Sequence, residues 1–217
     1  MKTRIGVIRV LTTNDEAMLN AHGRLLEQRF PEFETVSRCI GDQPEGLYDE
    51  ATHAMALPKI IKLGQEMARE AFQAIIVSCA DDPGVKELRE LLKIPVIGAG
   101  SACAGLALAC GARIGTLGIS GGSPKAMRDT LGPHLVAEAK PAGVVTTLDL
   151  QTDEGKSNAL RAAEYLKKAG AEVIALACTG FSTIGIAGML GHTVGLPVID
   201  AAEAAGSVAR QLTRPDR

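Results

Sequence analysis

Two cysteines end matching apolar runs in the two halves of the chain. The first run is Ala74-Ile75-Ile76-Val77-Ser78-Cys79 and the second is Val173-Ile174-Ala175-Leu176-Ala177-Cys178. Each leads, after a turn and a helical stretch, to a short run opened by proline: Pro95-Val96-Ile97-Gly98 and Pro197-Val198-Ile199-Asp200. The offsets are 178 − 79 = 99 for the cysteines and 197 − 95 = 102 for the prolines, so one architecture is repeated. One thiol per half suggests two acid–base groups facing a single substrate from opposite sides. That arrangement takes a proton from one face of a carbon and returns one to the other.

A free thiol has a pKa of about 8.5 and is mostly protonated at neutral pH. The turns after the cysteines are expected to favour thiolate. Cys79 precedes Asp82-Pro83, which reads as a helix start with Asp as cap and Pro in the first turn. Cys178 precedes the small polar group Thr179, Gly180, Ser182 and Thr183, which suits an anion-binding nest. Unpaired backbone N–H groups there would stabilise a thiolate, a carboxylate or a developing enolate oxygen. Asp81, an anion beside a thiol, opposes thiolate and is a doubtful activator.

Candidate substrate-binding residues surround these turns. They are Ala80 and Asp81 after the first cysteine, and Thr179 and Gly180 after the second. Arg9, Thr12 and Thr13 follow the first strand, where they could bind a carboxylate or carbonyl, and Asn14 beside them could equally cap a helix. Ser120 and Gly121 follow the equivalent strand of the second half. Cys103 and Cys110 read as core, and Cys39 as a structural residue in a loop. The Ser120–Ser123 loop lacks the Walker Lys-Ser/Thr ending, and Gly98-Ala99-Gly100 fails the dinucleotide pattern. His22, His53, His134 and His192 show no metal-ligand spacing, and no Cys-x-x-Cys occurs. No cofactor and no metal are expected.

The elements that must carry these residues alternate between apolar β-type runs and helical stretches. Strands are expected at Ile5–Ile8, Glu34–Ser37, Ala74–Ser78, Val96–Ile97, Ile114–Ile119, Val144–Leu148, Val173–Ala177 and Val198–Ile199. Helices are expected at Asn14–Arg29, Glu50–Ala71 with an irregularity at Pro58, from Asp82 through Leu92, at Ala102–Cys110 with Ser101 as cap, and at Pro124–Leu131. Further helices are expected at Asp153–Ala169 and Ala201–Leu212. Unbroken apolar strands separated by helices imply parallel sheets covered on both faces. The fold class is therefore α/β, with two pseudo-symmetric doubly wound parallel-sheet lobes and a cleft between them at the C-terminal strand ends. Residues 1–98 with 200–217 form the expected first lobe, and residues 99–199 the second.

Composition narrows the function class. The 217 residues are 46% hydrophobic and 22% charged, an ordinary globular balance. Aromatics are 3% with no Trp, and the net charge is −2, which argues against nucleic acid and anionic membranes as partners. The uncharged stretch Ile94–Ala112 carries Pro95 and four glycines, so it reads as strand, turn and helix rather than a membrane span. Five scattered cysteines and no apolar leader point to a reducing, cytoplasmic setting. A small-molecule substrate and a homo-oligomer are expected.

Ser78-Cys79-Ala80-Asp81-Asp82-Pro83-Gly84 resembles the Cys-x-x-Asp-Pro-Gly motif of the hydantoin racemase family. Ala177-Cys178-Thr179-Gly180 resembles its Gly-Cys-(Thr/Ala)-Gly motif, with Ala177 where Gly is usual. Pro95–Gly98 and Val144–Leu148 are also similar to family segments. The resemblance implies the Asp/Glu/hydantoin racemase superfamily: two α/β lobes, no cofactor, a cysteine pair that transfers protons, and a terminal helix that returns to the first lobe. The family's Ile-Asn-Pro-Asn-Thr opening is replaced here by Ile8-Arg9-Val10-Leu11-Thr12, and Arg9 in that loop favours an anionic substrate. The leading expectation is a racemase or epimerase acting beside a carbonyl, on a hydantoin, an allantoin-like ureide or an amino acid. A decarboxylase or isomerase on the same scaffold and a ligand-binding protein are the alternatives. Decarboxylation needs only one thiol.

Overall fold

A computed structural model describes residues 2–214; Met1 and residues 215–217, at the ends of the expected first lobe, lie outside the described residues. The chain forms β1 (Thr3–Arg9), α1 (Glu16–Arg29), β2 (Phe33–Cys39), α2 (Glu50–Met67), β3 (Ala74–Ser78), α3 (Val85–Leu91) and β4 (Val96–Gly98). Then follow α4 (Ala99–Cys110), β5 (Ile114–Leu117), α5 (Lys125–Leu131), β6 (Leu135–Ala139), α6 (Asp153–Lys168), β7 (Val173–Leu176), α7 (Gly180–Thr183), α8 (Ala187–Val194), β8 (Val198–Ile199) and α9 (Ala201–Leu212).

The strands make two four-stranded parallel sheets with equivalent orders, β2-β1-β3-β4 and β6-β5-β7-β8. In each sheet the third strand of the order is an interior strand, and that strand carries the cysteine. Every residue of β3 and β7 is buried, as parallel strands covered on both faces require. The two sheets share a core. Ile5, Val7 and Ile76 of one and Ile114, Val173 and Ala175 of the other belong to one apolar cluster, joined through Cys103, Ala104 and Ala107 of α4 and Ala201 and Ala205 of α9. Small side chains on α4 and α9 let the helices approach closely. The terminal helix α9 packs on α1, α4, β3 and β4, so it returns to the first sheet.

Several local expectations are corrected. Helix α1 begins at Glu16, because the Asp15 carboxylate rather than Asn14 accepts the Ala17 and Met18 N–H groups. Pro58 lies inside α2, which runs as one helix from Glu50 to Met67. The segment Val144–Leu148 is not a strand: Asp149 accepts the N–H groups of Val145 and Thr146, a local bond that competes with sheet pairing. The fourth strand of the second sheet is instead β6, a half-exposed edge strand whose alternating Leu-Val-Ala-Glu-Ala sequence gives only a weak signal. Cys39 ends β2 rather than lying in a loop, and Cys110 is exposed at the end of α4 rather than in the core.

Candidate active site

Strands β3 and β7 deliver Cys79 and Cys178 to the C-terminal edges of their sheets, where both residues are half-buried. The halves are joined at this point. The Thr179 hydroxyl donates to the Ser78 carbonyl at 3.2 Å, so the residue after one cysteine holds the residue before the other. His22 of α1 bridges the same two turns, with Nδ1 2.7 Å from the Ser78 hydroxyl and Nε2 2.8 Å from the Thr183 hydroxyl. Burial and the nearby Arg9 charge hold His22 well below its ordinary pKa, so it serves as a neutral strut.

Each cysteine turn is tied by a carboxylate to the helix after the next strand. In the first half Asp82 accepts the N–H groups of Gly100 and Ser101 at 2.7 and 2.8 Å, and so caps α4. In the second half Asp200 caps α9 and accepts the Ser182 hydroxyl at 2.7 Å. The expected role of Asp82 as cap of the helix that follows it is thereby corrected. Helix α3 starts after Gly84, while Asp82, at φ 53°, turns its side chain to a different helix. Ser101 is likewise a residue of the first turn of α4, not its cap. Glycine is required where the turn meets α4: a Cβ on Gly100 would lie 1.8 Å from the Ala80 carbonyl oxygen, and one on Gly98 would lie 2.3 Å from the Asp82 carboxyl.

The electrostatics overturn the expected stabilisation of thiolate. Burial pushes the Cys178 thiol up to about 11, although the Gly180 N–H, 3.3 Å from Sγ, pulls the other way. Cys79 is pushed up further by burial; the Asp81 backbone N–H opposes this, while the charges of Asp81 and Asp82, and that of Cys178 in its thiolate form, add to it. Both cysteines are thus thiols at neutral pH, and the turns only reduce the cost of ionising them.

The remaining candidates divide into two groups. Ala80, Asp81, Thr179 and Gly180 stand at the cysteine turns. Gly180 abuts the second thiol and a residue that sequence reasoning missed, Thr147: a Cβ there would meet Thr147 Cγ2 at 2.8 Å and Cys178 Sγ at 3.3 Å. Asp81 pairs with His53 of α2, whose Nε2 lies 2.8 Å from Oδ2. Ser120 and Gly121 line a pocket with Glu138 and Lys140 beside the β5–β6 edge; neither cysteine lines it.

The other group is committed to the scaffold. Arg9 is 3% exposed and donates to the carbonyls of Met18 and Leu19 at 2.7 and 3.1 Å. Thr12 donates to the Ile40 carbonyl and accepts the Gln43 N–H, both at 2.7 Å. The Thr13 hydroxyl accepts the Asp15 N–H at 3.1 Å. The roles of His22, His53 and Thr147 depend on contacts far apart in the chain, and no local pattern marks them. Among the described residues no three His, Cys, Asp or Glu side chains are grouped to hold a metal, and no helix is long and apolar enough to cross a membrane.

A sequence model described as Asp/Glu/Hydantoin racemase matches residues 5–209. The chain is 27% identical over 179 residues to a hydantoin racemase of Rhizobium meliloti, covering 79% of this chain and 73% of that protein. It is 29% identical over 180 residues to a hydantoin racemase of Paenarthrobacter aurescens, covering 77% and 72% of the two chains. Among solved structures, an allantoin racemase from Pseudomonas fluorescens superposes with a TM-score of 0.84 at 23% identity, covering 98% of this chain and 91% of that one. The structural likeness carries the fold.

Proposed function

This chain belongs to the Asp/Glu/hydantoin racemase family, and from that premise we propose that it is a cofactor-independent racemase or epimerase in which Cys79 and Cys178 move the proton of a carbon beside a carbonyl. The substrate class is a 5-substituted hydantoin or a related ureide. The observation that carries this reading is the placement of one thiol at the same strand end of each sheet, with the two turns joined by the Thr179–Ser78 hydrogen bond. The hydantoin racemases to which the chain is similar support the substrate class. Arg9 supports it as well. The cation that would favour an anionic substrate is turned to backbone carbonyls, which leaves the cysteine turns to hydrogen-bond a neutral ring or ureide.

In this mechanism one cysteine ionises and its thiolate takes the substrate proton, forming an S–H bond as the C–H bond breaks. The electron pair passes to the neighbouring carbonyl oxygen, where backbone N–H groups of the turns would stabilise the enolate. The opposed thiol then protonates the carbon from the other face and becomes the thiolate. Proton exchange with solvent resets the pair, and the opposite enantiomer uses the same two groups in exchanged roles. The high thiol pKa values suit this task, because a strongly basic thiolate is needed to abstract a weakly acidic carbon-bound proton.

We also propose a cytoplasmic setting, on the free cysteines, and assembly as a homo-oligomer. The decisive experiment follows optical rotation and deuterium uptake at the reacting carbon across hydantoins, allantoin and acidic amino acids. Cys79→Ser and Cys178→Ser are each expected to abolish racemisation of the hydantoin or ureide. Full activity in both variants overturns the mechanism, and turnover of acidic amino acids alone overturns the substrate class.

A further inference from the structure

The His53–Asp81 pair stands beside the cysteine turn, and the proton transfer itself does not use it. His53 lies in the first turn of α2, where a cation opposes the helix dipole, so a specific partner is needed to favour its charged form. That partner is Asp81, at 2.8 Å, and the side chains of the pair are 30% and 32% exposed. Asp81 sits two residues beyond Cys79. The backbone N–H of Lys125, the first residue of α5 in the other half of the chain, also favours the charged form of Asp81. One carboxylate therefore ties the first turn of α2 to the Cys79 turn.

The charged groups around the pair set its chemistry. His53 is raised above its ordinary pKa by the hydrogen bond and charge of Asp81 and by the charge of Asp49, against partial burial. Asp81 is held below the usual carboxylate range by His53, by the Lys125 N–H and by the Arg128 charge. The charges of Asp81 and Asp82, and that of Cys178 when it is ionised, oppose the ionisation of Cys79. An anion two residues from the reacting sulfur is thus balanced chiefly by one histidine.

We propose that His53 is a positioning residue for Cys79: it holds the Asp81 carboxylate in an ion pair and cancels much of that anion's opposition to a negative charge at the neighbouring sulfur. The inference rests on the two-cysteine reading above. While His53 is protonated, Cys79 ionises against a compensated Asp81. Above the His53 pKa the full negative charge of Asp81 faces the sulfur, and thiolate formation becomes harder. An uncompensated charge at such range shifts a pKa by about one unit, so the effect on thiolate population is about tenfold.

The test is the pH profile of kcat/KM for the full chain, with the hydantoin or ureide that the unaltered protein racemises fastest. In the unaltered protein the rise of rate with pH is expected to show a shoulder where His53 titrates. His53→Gln keeps a hydrogen-bond donor but no charge. It is expected to lower kcat/KM about tenfold near pH 6, to lack the shoulder and to converge with the unaltered protein at high pH. Combining His53→Gln with Asp81→Asn is expected to restore the rate at pH 6, because the Asp81 charge that His53 compensates is then absent. A His53→Gln profile lowered equally at every pH, or a double variant that is not restored, overturns the proposal. Those results with inactive Cys79→Ser and Cys178→Ser variants leave the two-cysteine mechanism standing. Full activity in both cysteine variants removes the mechanism, and this role of His53 with it.

Discussion

The hydroxyl of Thr179 donates to the carbonyl of Ser78 at 3.2 Å across 101 residues of sequence. This bond joins the strand end that carries Cys79 to the turn that carries Cys178, and it sets the spacing of the two turns directly. Thr179→Val keeps the shape and removes the donor. A net loss of about 1 kcal/mol in stability is expected, from one neutral hydrogen bond. The effect on racemisation should be larger, about tenfold or more in kcat, because small misplacements of reacting groups are costly. Thr179→Ser should recover most of the rate. Urea unfolding and steady-state kinetics on the three proteins check this.

The tie between Asp82 and α4 predicts a stability effect at a residue next to the chemistry. Asp82→Ala removes the acceptor for Gly100 and Ser101 and places Ala at φ 53°, which costs L-residues other than Asn, Asp and Gly. The cap and the backbone cost together give a loss of about 2–3 kcal/mol. Asp82→Asn keeps an acceptor and tolerates the backbone, so it should lose less than half as much. Denaturant midpoints of the two variants separate the terms.

The direction of both thiol shifts predicts the pH dependence of the reaction. Cys178 at about 11 and Cys79 higher still are protonated at neutral pH, so under the proposed two-cysteine mechanism the form with one thiolate grows as pH rises. The value of kcat/KM is expected to increase at least about tenfold between pH 7 and pH 9. A maximum at or below pH 7 in the rate profile would contradict it.

His22 predicts a loss of stability in mild acid. Its folded pKa lies well below the ordinary value of 6.5, so below that pH the unfolded chain binds the proton more readily. Stability contributed by the neutral ring is present above pH 6.5 and falls as pH drops, by about 1.4 kcal/mol per unit until the folded group titrates. The raised His53 partly offsets this near pH 7, because its contribution grows as pH falls towards 6.5. The lowered Asp81 loses stability only as pH falls below the ordinary carboxylate range, so the comparison with a His22 variant isolates the His22 contribution. Urea midpoints at pH 7 and pH 5.5 for the unaltered protein and His22→Gln should show the dependence in the first and its loss in the second.

The two carboxylates that tie the cysteine turns have exchanged sides between the halves. By the proline offset, Gly98 stands where Asp200 stands. In the first half the turn supplies Asp82 and Gly98 leaves room for it. In the second half the helix cap supplies Asp200 and the turn answers with Ser182. Pseudo-symmetry thus preserves the contact but not the residue that makes it.

What the chain's local pattern determines is the skeleton of the candidate site. Continuous apolar runs bounded by turns are legible because a buried parallel strand demands them at every position. The two cysteines inherit their location from those strand ends. The repeat at nearly constant offset likewise implies two similar sheets. The pattern failed where one short-range bond outweighed propensity, as Asp149 does at Val145 and Thr146, or where an edge strand such as β6 needs little apolar character. Tertiary structure alone decided the ionisation of the thiols, because burial is set by everything packed around a residue and here exceeds the help from adjacent N–H groups. It also decided that Arg9 serves α1, that Asp82 caps α4, and that His22 reaches Thr183 across 161 residues of sequence. Those bonds join residues whose separation along the chain carries no periodic signal, and only the folded chain brings them within hydrogen-bond reach.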